Sequence, residues 1–442
     1  MGFSWLPFTG TMAIAPDSRA IALAKISIER LSRVDNASFT PPPASQTQDR
    51  DRDQTWAFWP VVPLYPYGNC RTLRREVVKD TIWTFEQVQG ILYVIVPIRM
   101  TVVKLDAGGL LVYAPIAPTP ECVRLVRELE IEHGEVKYII LPTVSGLEHK
   151  VFVGPFARKF RHAQVYVAPQ QWSFPVSLPL SWLGFPVRRT HILPNHFKDA
   201  PFGDEFSYSI LGPIYLGPGK FGEVVMLHRR SHTLLVTDTI LSIPDQPPAV
   251  VQLNPAPLLF HARDHVHDVV DDTPANRTKG WKRIALFSCF FRPSAAATVP
   301  LGRAIREASQ ASDRSRANYF GLFPFSWKPD WERSFKALRC DGRLLVAPVL
   351  QTLILNRAPQ ETLAWANDVS CWDFERIIPC HLDAPLAADG RQFLEAFSFL
   401  NPEIQTSASD RDWAALKDDF EVLDSLDQGL TQRGITPPAK TS

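Results

Sequence analysis

Apolar positions along this chain recur on two different periods, and the switches between them mark out its elements. Ile91–Val96, Met100–Leu105 and Leu110–Ala114 are short runs rich in β-branched residues, separated by Pro97 and by the turn sequence Asp106–Gly109. They predict consecutive strands. From Thr119 to His133 the apolar residues Val123, Val126, Leu129 and Ile131 lie among charges, the spacing of an amphipathic helix, with Thr119 as its N-cap. Tyr138–Leu141 and Val165–Val167 predict buried strands, with a helix over Val151–Phe160 between them. Further on, Glu223–Leu227 and Thr233–Thr237 predict a hairpin around His228–His232, and Asp245–Pro257 a loop. His261–Asp272 and Pro300–Ala311 predict helices, and Arg343–Leu355, Pro359–Val369 and Arg376–Pro379 read as strand, helix, strand. Asn401–Gln428 predicts an acidic amphipathic helix with Trp413, Leu416, Phe420 and Leu423 on one face.

The ends differ in kind. Asn36–Asp53 is proline, serine, glutamine and alternating Asp-Arg, a linker behind a weak leader. Residues 55–68 are too rich in proline and aromatics for a helix and predict extended chain packed on something. Arg433–Ser442 predicts a disordered tail. The expected organisation is a disordered leader and linker over 1–54, a folded domain over 55–400, and a helix with its tail over 401–442, without internal repeats.

Composition narrows the class. A hydrophobic content of 45% supports a full core, and a formal net charge of +1 gives no electrostatic footprint for a nucleic-acid partner. The 39 prolines favour rigid extended loops over a helical bundle. Cysteines at 70, 122, 289, 340, 371 and 380 form no C-x-x-C pair, which favours a reducing compartment over a disulfide framework. The longest uncharged apolar runs, Ile91–Ile98 and Ile284–Phe291, fall far short of the about 20 residues of a spanning helix, so no transmembrane segment is expected. The N-terminus lacks the pattern of a secretory signal, whereas an organelle transit segment stays open.

The order strand, helix, strand, helix, strand, then a late hairpin ending LLVTD resembles that of the metallo-β-lactamase fold, a four-layer αββα sandwich of the α/β class. In active members of that fold the first metal loop reads HxHxDH after a buried strand. Here the loop after Tyr138–Leu141 reads PTVSGLEHK, residues 142–150. The resemblance places Thr143 and Ser145 at the first two histidines, Leu147 at the aspartate and Glu148 at the next histidine, with His149 one step out of register. The stretch LGPGKFGEVV, 216–225, carries no counterpart of the later histidine. Asp238 matches the aspartate that bridges two metals, and His381, in RIIPCH, matches the last metal histidine. Four longer stretches, YGNCRTLRREVVKD (67–80), ILPTVSGLEHKVFVGPFARKF (140–160), TPANRTKGWKRI (273–284) and IIPCHLDAP (377–385), resemble domain-of-unknown-function family 4336 of plants, algae and cyanobacteria. That resemblance implies a photosynthetic cell, in the cytoplasm of a cyanobacterium or in a chloroplast.

Two functions remain. With most ligands replaced, the chain reads as a metal-poor, non-hydrolytic binding or assembly module with an unknown protein or small-molecule partner and no cofactor. The alternative is a hydrolase or oxidoreductase with a rebuilt site for one zinc or iron ion around Asp238 and His381, completed by Glu148, His149 or Asp383. Against a metal, Asp238 and His381 also suit a buried hydrogen-bonded pair. His261, Asp264, His265 and His267 form a second cluster in which His261 and His265 would share a helix face, although a solvated polar face explains them as well. Cys380 and His381 are adjacent on a strand and point to opposite sides, which argues against a nucleophilic pair. Residues 172–186 carry no charge. Trp172, Phe174, Trp182 and Phe185 would serve there as a peripheral membrane contact, a lid, a dimer contact or cover over the domain's own core.

Overall fold

A computed structural model describes residues 52–56, 65–66, 68–91, 93–173, 177–217, 219–401 and 414–440. The leader and linker expected over 1–51, the extended chain over 57–64, the contact by Phe174 and the start of the acidic helix over 402–413, with Trp413, concern residues outside these. The first sheet holds β1 (Leu73–Val78), β2 (Ile82–Ile91), β3 (Val94–Lys104), β4 (Leu110–Tyr113), β5 (Val136–Leu141), β6 (Gln164–Val167) and β7 (Thr190–Ile192), in that spatial order. β1 to β4 are antiparallel neighbours, and β4 to β7 are parallel. Parallel pairing needs crossovers, supplied by α1 (Pro120–His133) and α2 (Leu147–Lys159). Thr119 caps α1, its side chain accepting from the Cys122 N–H at 3.2 Å.

The second sheet follows the order β14 (Leu386–Ala387), β13 (Arg376–Pro379), β10 (Thr233–Val236), β9 (Lys220–His228) and β8 (Phe206–Tyr215). A second helical layer is built from α3 (Ala249–Gln252), α4 (Ala256–Ala262), α5 (Pro274–Phe290), α6 (Leu301–Ser309), α7 (Trp331–Arg339), α8 (Pro348–Leu353), α9 (Pro359–Ser370), α10 (Gly390–Glu395) and α11 (Lys417–Gln432), of which α3 and α5 also meet β3 of the first sheet. A two-stranded ladder, β11 (Ala296–Thr298) with β12 (Phe325–Trp327), lies among them.

Side-chain alternation along the strands sorts the core into three layers. Leu110, Val112, Ile139 and Leu141 face α1 and α2, where Val126, Leu129, Phe152 and Phe156 meet them. Leu111, Tyr113 and Ile140 face the other way, onto Val224, Met226, Leu235 and Ile378 of the second sheet. Leu227, Leu234, Val236 and Ile377 point outward again, onto the helical layer around Trp281, Leu286 and Leu350. Helices, sheet, sheet, helices: the chain is a four-layer αββα sandwich.

Several expectations are corrected. Pro97 does not divide two strands. β3 runs through it, because β4 pairs only with Thr101–Lys104, and beyond Thr101 that edge of β3 carries a single bridge, from Ile98 to His381. The 245–257 loop contains α3 and leads into α4, whose last residue is Ala262. From there the Asp268 carboxylate accepts from the backbone N–H groups of Asp264 and His265, at 2.8 and 2.9 Å, and competes with helix formation. Arg343–Leu355 is no strand. Pro348 opens the wholly buried α8, which has no exposed face to give it a helical signature. Residues 433–440 are not loose either: the Lys440 N–H donates to the Asn356 carbonyl at 2.9 Å, and Thr436 is buried.

Candidate metal centre

The parallel register of β10 and β13 pairs Val236 with Pro379. Two residues beyond that pair stand Asp238 and His381, so the register itself brings them side by side. Their contact is 3.1 Å, from Asp238 Oδ1 to His381 Nε2. Glu148 comes from the opposite sheet. It is the second residue of α2, which starts just after β5, and its Oε2 lies 3.0 Å from the same Nε2. Ligating atoms of Glu148, Asp238 and His381 all lie within 4.8 Å of one another, and all three side chains are buried.

His381 Nδ1 lies 3.1 Å from the Pro97 carbonyl oxygen. A carbonyl only accepts, so Nδ1 carries a proton and Nε2 is the atom turned to the carboxylates. Although two oxygens stand near it, Nε2 makes no hydrogen bond of acceptable direction. His149 repeats the pattern: Nδ1 lies 3.1 Å from the Pro115 carbonyl, and its buried Nε2 has no partner. The two rings are 6.3 Å apart. Asp383 is only half-buried and does not join the cluster.

Two residues missed in the sequence hold this arrangement. Glu223 is fully buried in β9, and its carboxylate accepts from the N–H groups of Thr237, Asp238 and Thr239 at 2.6, 3.0 and 2.9 Å. The Thr239 hydroxyl donates to it as well, at 3.1 Å. Arg99 in β3 pairs with Glu86 at 2.8 Å and donates to the carbonyls of Pro379 and, at 2.8 Å, Leu382. It thereby grips the chain on both sides of His381, where Leu382 adopts a left-handed φ of 54°. The signal available in each case was one charge inside an apolar strand.

The loop that would carry the first metal ligands is used otherwise. Val144 N–H donates to the Gly222 carbonyl, and Val224 N–H to the Pro142 carbonyl, stitching 142–144 onto β9. Thr143 and Ser145 are buried in this seam, with the Ser145 hydroxyl donating to the Lys220 carbonyl.

Burial works against a charged His381, but Glu148 and Asp238 override it and raise the imidazole pKa. Burial likewise pushes the Glu148 carboxyl up, and the His381 charge helps hold it below the ordinary range. His149 is lowered to about 4, by burial first and by the His381 charge second. Glu223 is raised to about 7 by burial and by the Asp238 charge.

The other candidates disperse. His261 is buried against Phe287 and Phe325, and since the helix ends at Ala262 it shares no helical face with His265. Asp264 pairs with Lys279 and Arg283. Cys380 faces the core between the sheets, and burial pushes its thiol well up. Within 172–186, Phe185 is buried against α2, Trp172 is half-buried against Gly219, and Trp182 is 76% exposed.

A family model described as "Domain of unknown function (DUF4336)" matches residues 79–399. No protein of curated function matches the sequence. Among solved structures, the chain is similar to the metal-soaked flavodiiron core from Synechocystis sp. at 10% identity and a TM-score of 0.36, over 75% of this chain and 61% of that one. It thus spans about three fifths of that core's length. A metallo-β-lactamase from Pontibacter korlensis is similar at 10% identity and a TM-score of 0.34, over 75% of this chain and 100% of its own. A putative diflavin flavoprotein fragment from Nostoc sp. gives 9% and 0.37, over 78% and 98%.

Proposed function

The chain belongs to domain-of-unknown-function family 4336, and on that premise we propose that it holds one divalent metal ion between Glu148, Asp238 and His381. The ion would serve a binding or assembly protein of the metallo-β-lactamase fold rather than a hydrolase. One observation carries this reading: His381 Nε2 is buried 3.0 and 3.1 Å from two carboxylates, yet makes no hydrogen bond with either. Donors bound at about 2.0–2.2 Å around one ion, about 90–109° apart, stand about 2.8–3.6 Å from each other, which matches. The donated Nδ1–H of His381 is the usual outer contact of a metal-bound imidazole. A bound ion would neutralise two buried carboxylates and, at an open position, polarise a water.

Burial of all three donors supports the non-hydrolytic reading, as does the seam of Thr143 and Ser145 in place of further ligands. A second reading, a one-metal hydrolase, is favoured by the count of three protein donors, which leaves a coordination position open. The test is the metal content of protein purified without chelator, followed by cobalt titration of wild type and Asp238→Asn. One ion per chain in wild type, lost in the variant, is expected. Metal-free wild type that also fails to bind cobalt overturns the proposal. Metal-dependent cleavage of ester or lactam probes would favour the second reading. The photosynthetic setting implied by the family belongs to this reading too, and fractionation of the source cell checks it.

A further inference from the structure

Between β6 and β7 the chain makes an excursion whose apolar residues point two ways. Phe185 is buried in the α2 core, and Gly154 in α2 meets the excursion at backbone distance: a Cβ there would stand 2.7 Å from the Gly184 carbonyl. Arg189 fastens the far end, donating to the carbonyls of Ala157, Phe160 and Ala163. The segment is therefore a braced projection on the C-terminal half of α2. On it Trp182 is 76% exposed, Val187 74% and Ile192 65%, and Leu178 is exposed beside them. An exposed tryptophan amid aliphatics is costly in water unless a partner covers it.

Charge identifies the partner. From His149 to Lys198 the sequence holds seven lysines and arginines and no aspartate or glutamate. The exposed Lys159, Arg161, Arg188 and Lys198 make no ion pair among the described residues. Apolar side chains led by a tryptophan, on a segment that carries cations and no acid, match an anionic bilayer surface, where the indole sits at headgroup depth and the cations meet lipid phosphates and carboxylates. A protein partner or a second copy would need acidic complementarity, which this chain does not offer in the same segment. No described helix is long and apolar enough to cross a membrane, so the contact is peripheral. We propose that the projection around Trp182 and Val187, with Arg161 and Arg188, is a docking surface for anionic lipid bilayers.

The experiment is co-sedimentation of the full chain with phosphatidylcholine vesicles and with vesicles containing about one quarter phosphatidylserine. Binding to the anionic vesicles alone, weakened by salt, is expected. Trp182→Ser with Val187→Ser should reduce it at least about tenfold, as should Arg161→Glu with Arg188→Glu. All four side chains are exposed, and thermal unfolding checks that each variant still folds. If the apolar pair does not fold, the charge pair decides alone. The proposal is overturned by absence of binding to anionic vesicles, or by binding that the charge reversals leave intact. It is equally overturned if vesicles are ignored and the apolar substitutions instead abolish self-association, which would assign the surface to a second copy.

Discussion

His381 Nδ1 and the Pro97 carbonyl stand 3.1 Å apart across the two sheets, a contact that fixes which ring nitrogen looks into the Glu148–Asp238 cluster. His149 is fixed in the same way by the Pro115 carbonyl. The two histidines differ in reach, since only His381 lies within 4.8 Å of both carboxylates. If a metal is held there, His381→Gln should abolish cobalt binding. His149→Gln should weaken it far less, because its Nε2 has no hydrogen-bond partner in the cluster. Calorimetric titration measures both, and equal effects would make His149 a ligand in its own right.

Arg99 should govern how well that site is built. In Arg99→Met, Glu86 is left buried without its cation and two carbonyls lose their donor, a cost of about 3–5 kcal/mol. Arg99→Lys keeps the charge but cannot reach Glu86, Pro379 and Leu382 at once, because an ammonium lacks the guanidinium fork. That variant should lose less stability and still bind cobalt more weakly. Wild-type cobalt affinity in Arg99→Lys would show that the grip on Pro379 and Leu382 does not position His381.

These partnerships explain what could be read from the chain. Thr119 and α1 were legible because an N-cap and an amphipathic face are local. Asp238 and His381 were legible because each closes an apolar strand and resembles a known ligand. The role of Arg99 was not, since its partners Pro379 and Leu382 lie about 280 residues away and nothing local announces them. Buried helices failed for a different reason. α8 is buried on every side, Gln351 and Thr352 included, and the C-terminal half of α5 is buried from Arg283 to Phe290, so neither sets an exposed polar face against an apolar one. The helix expected over 261–272 failed because the Asp268 carboxylate satisfies backbone N–H groups that a helix would have needed.

His228 sets an acid limit away from the metal site. Its Nδ1 meets the Ser231 hydroxyl at 2.7 Å and its buried Nε2 has no partner. Burial and the nearby Arg230 lower its pKa to about 4, against about 6.5 in an unfolded chain. Between those values the unfolded chain takes up a proton that the folded protein refuses. The neutral ring's contribution is therefore complete above about pH 6.5 and declines as pH falls towards 4. At 1.36 kcal/mol per unit, wild type should lose about 2–3 kcal/mol from this group between pH 7 and pH 4.5. His228→Gln should lose correspondingly less in urea unfolding over the same interval. An identical pH response in both proteins would assign the acid limit to other groups.

In the metal-free protein, the three clustered side chains should respond unequally to removal. Two carboxylates share one imidazolium there, and His381 is the group both depend on. His381→Ala leaves Glu148 and Asp238 buried and facing each other without a cation, at a cost of about 3–5 kcal/mol. Asp238→Asn removes one of two like charges and leaves the Glu148–His381 pair in place. Its effect should be within about 1 kcal/mol, and the double variant should be less destabilised than the sum of the singles. The imidazole also sets a pH dependence. Its pKa is raised on folding, so its contribution is complete below about pH 6.5 and is lost as pH rises through the raised value. Metal should separate Asp238→Asn from wild type. Saturating zinc stabilises wild type by about 2.7 kcal/mol at one hundred times the dissociation constant, and a variant lacking a ligand forfeits that gain. Asp238→Asn would then match wild type in chelator and fall behind it in zinc. Thermal unfolding of wild type and the three variants, each with chelator and with zinc, reads all of this directly. If Asp238→Asn proves as costly as His381→Ala in chelator, and zinc raises the unfolding temperature of neither wild type nor variant, the cluster is a structural triad and the metal reading falls.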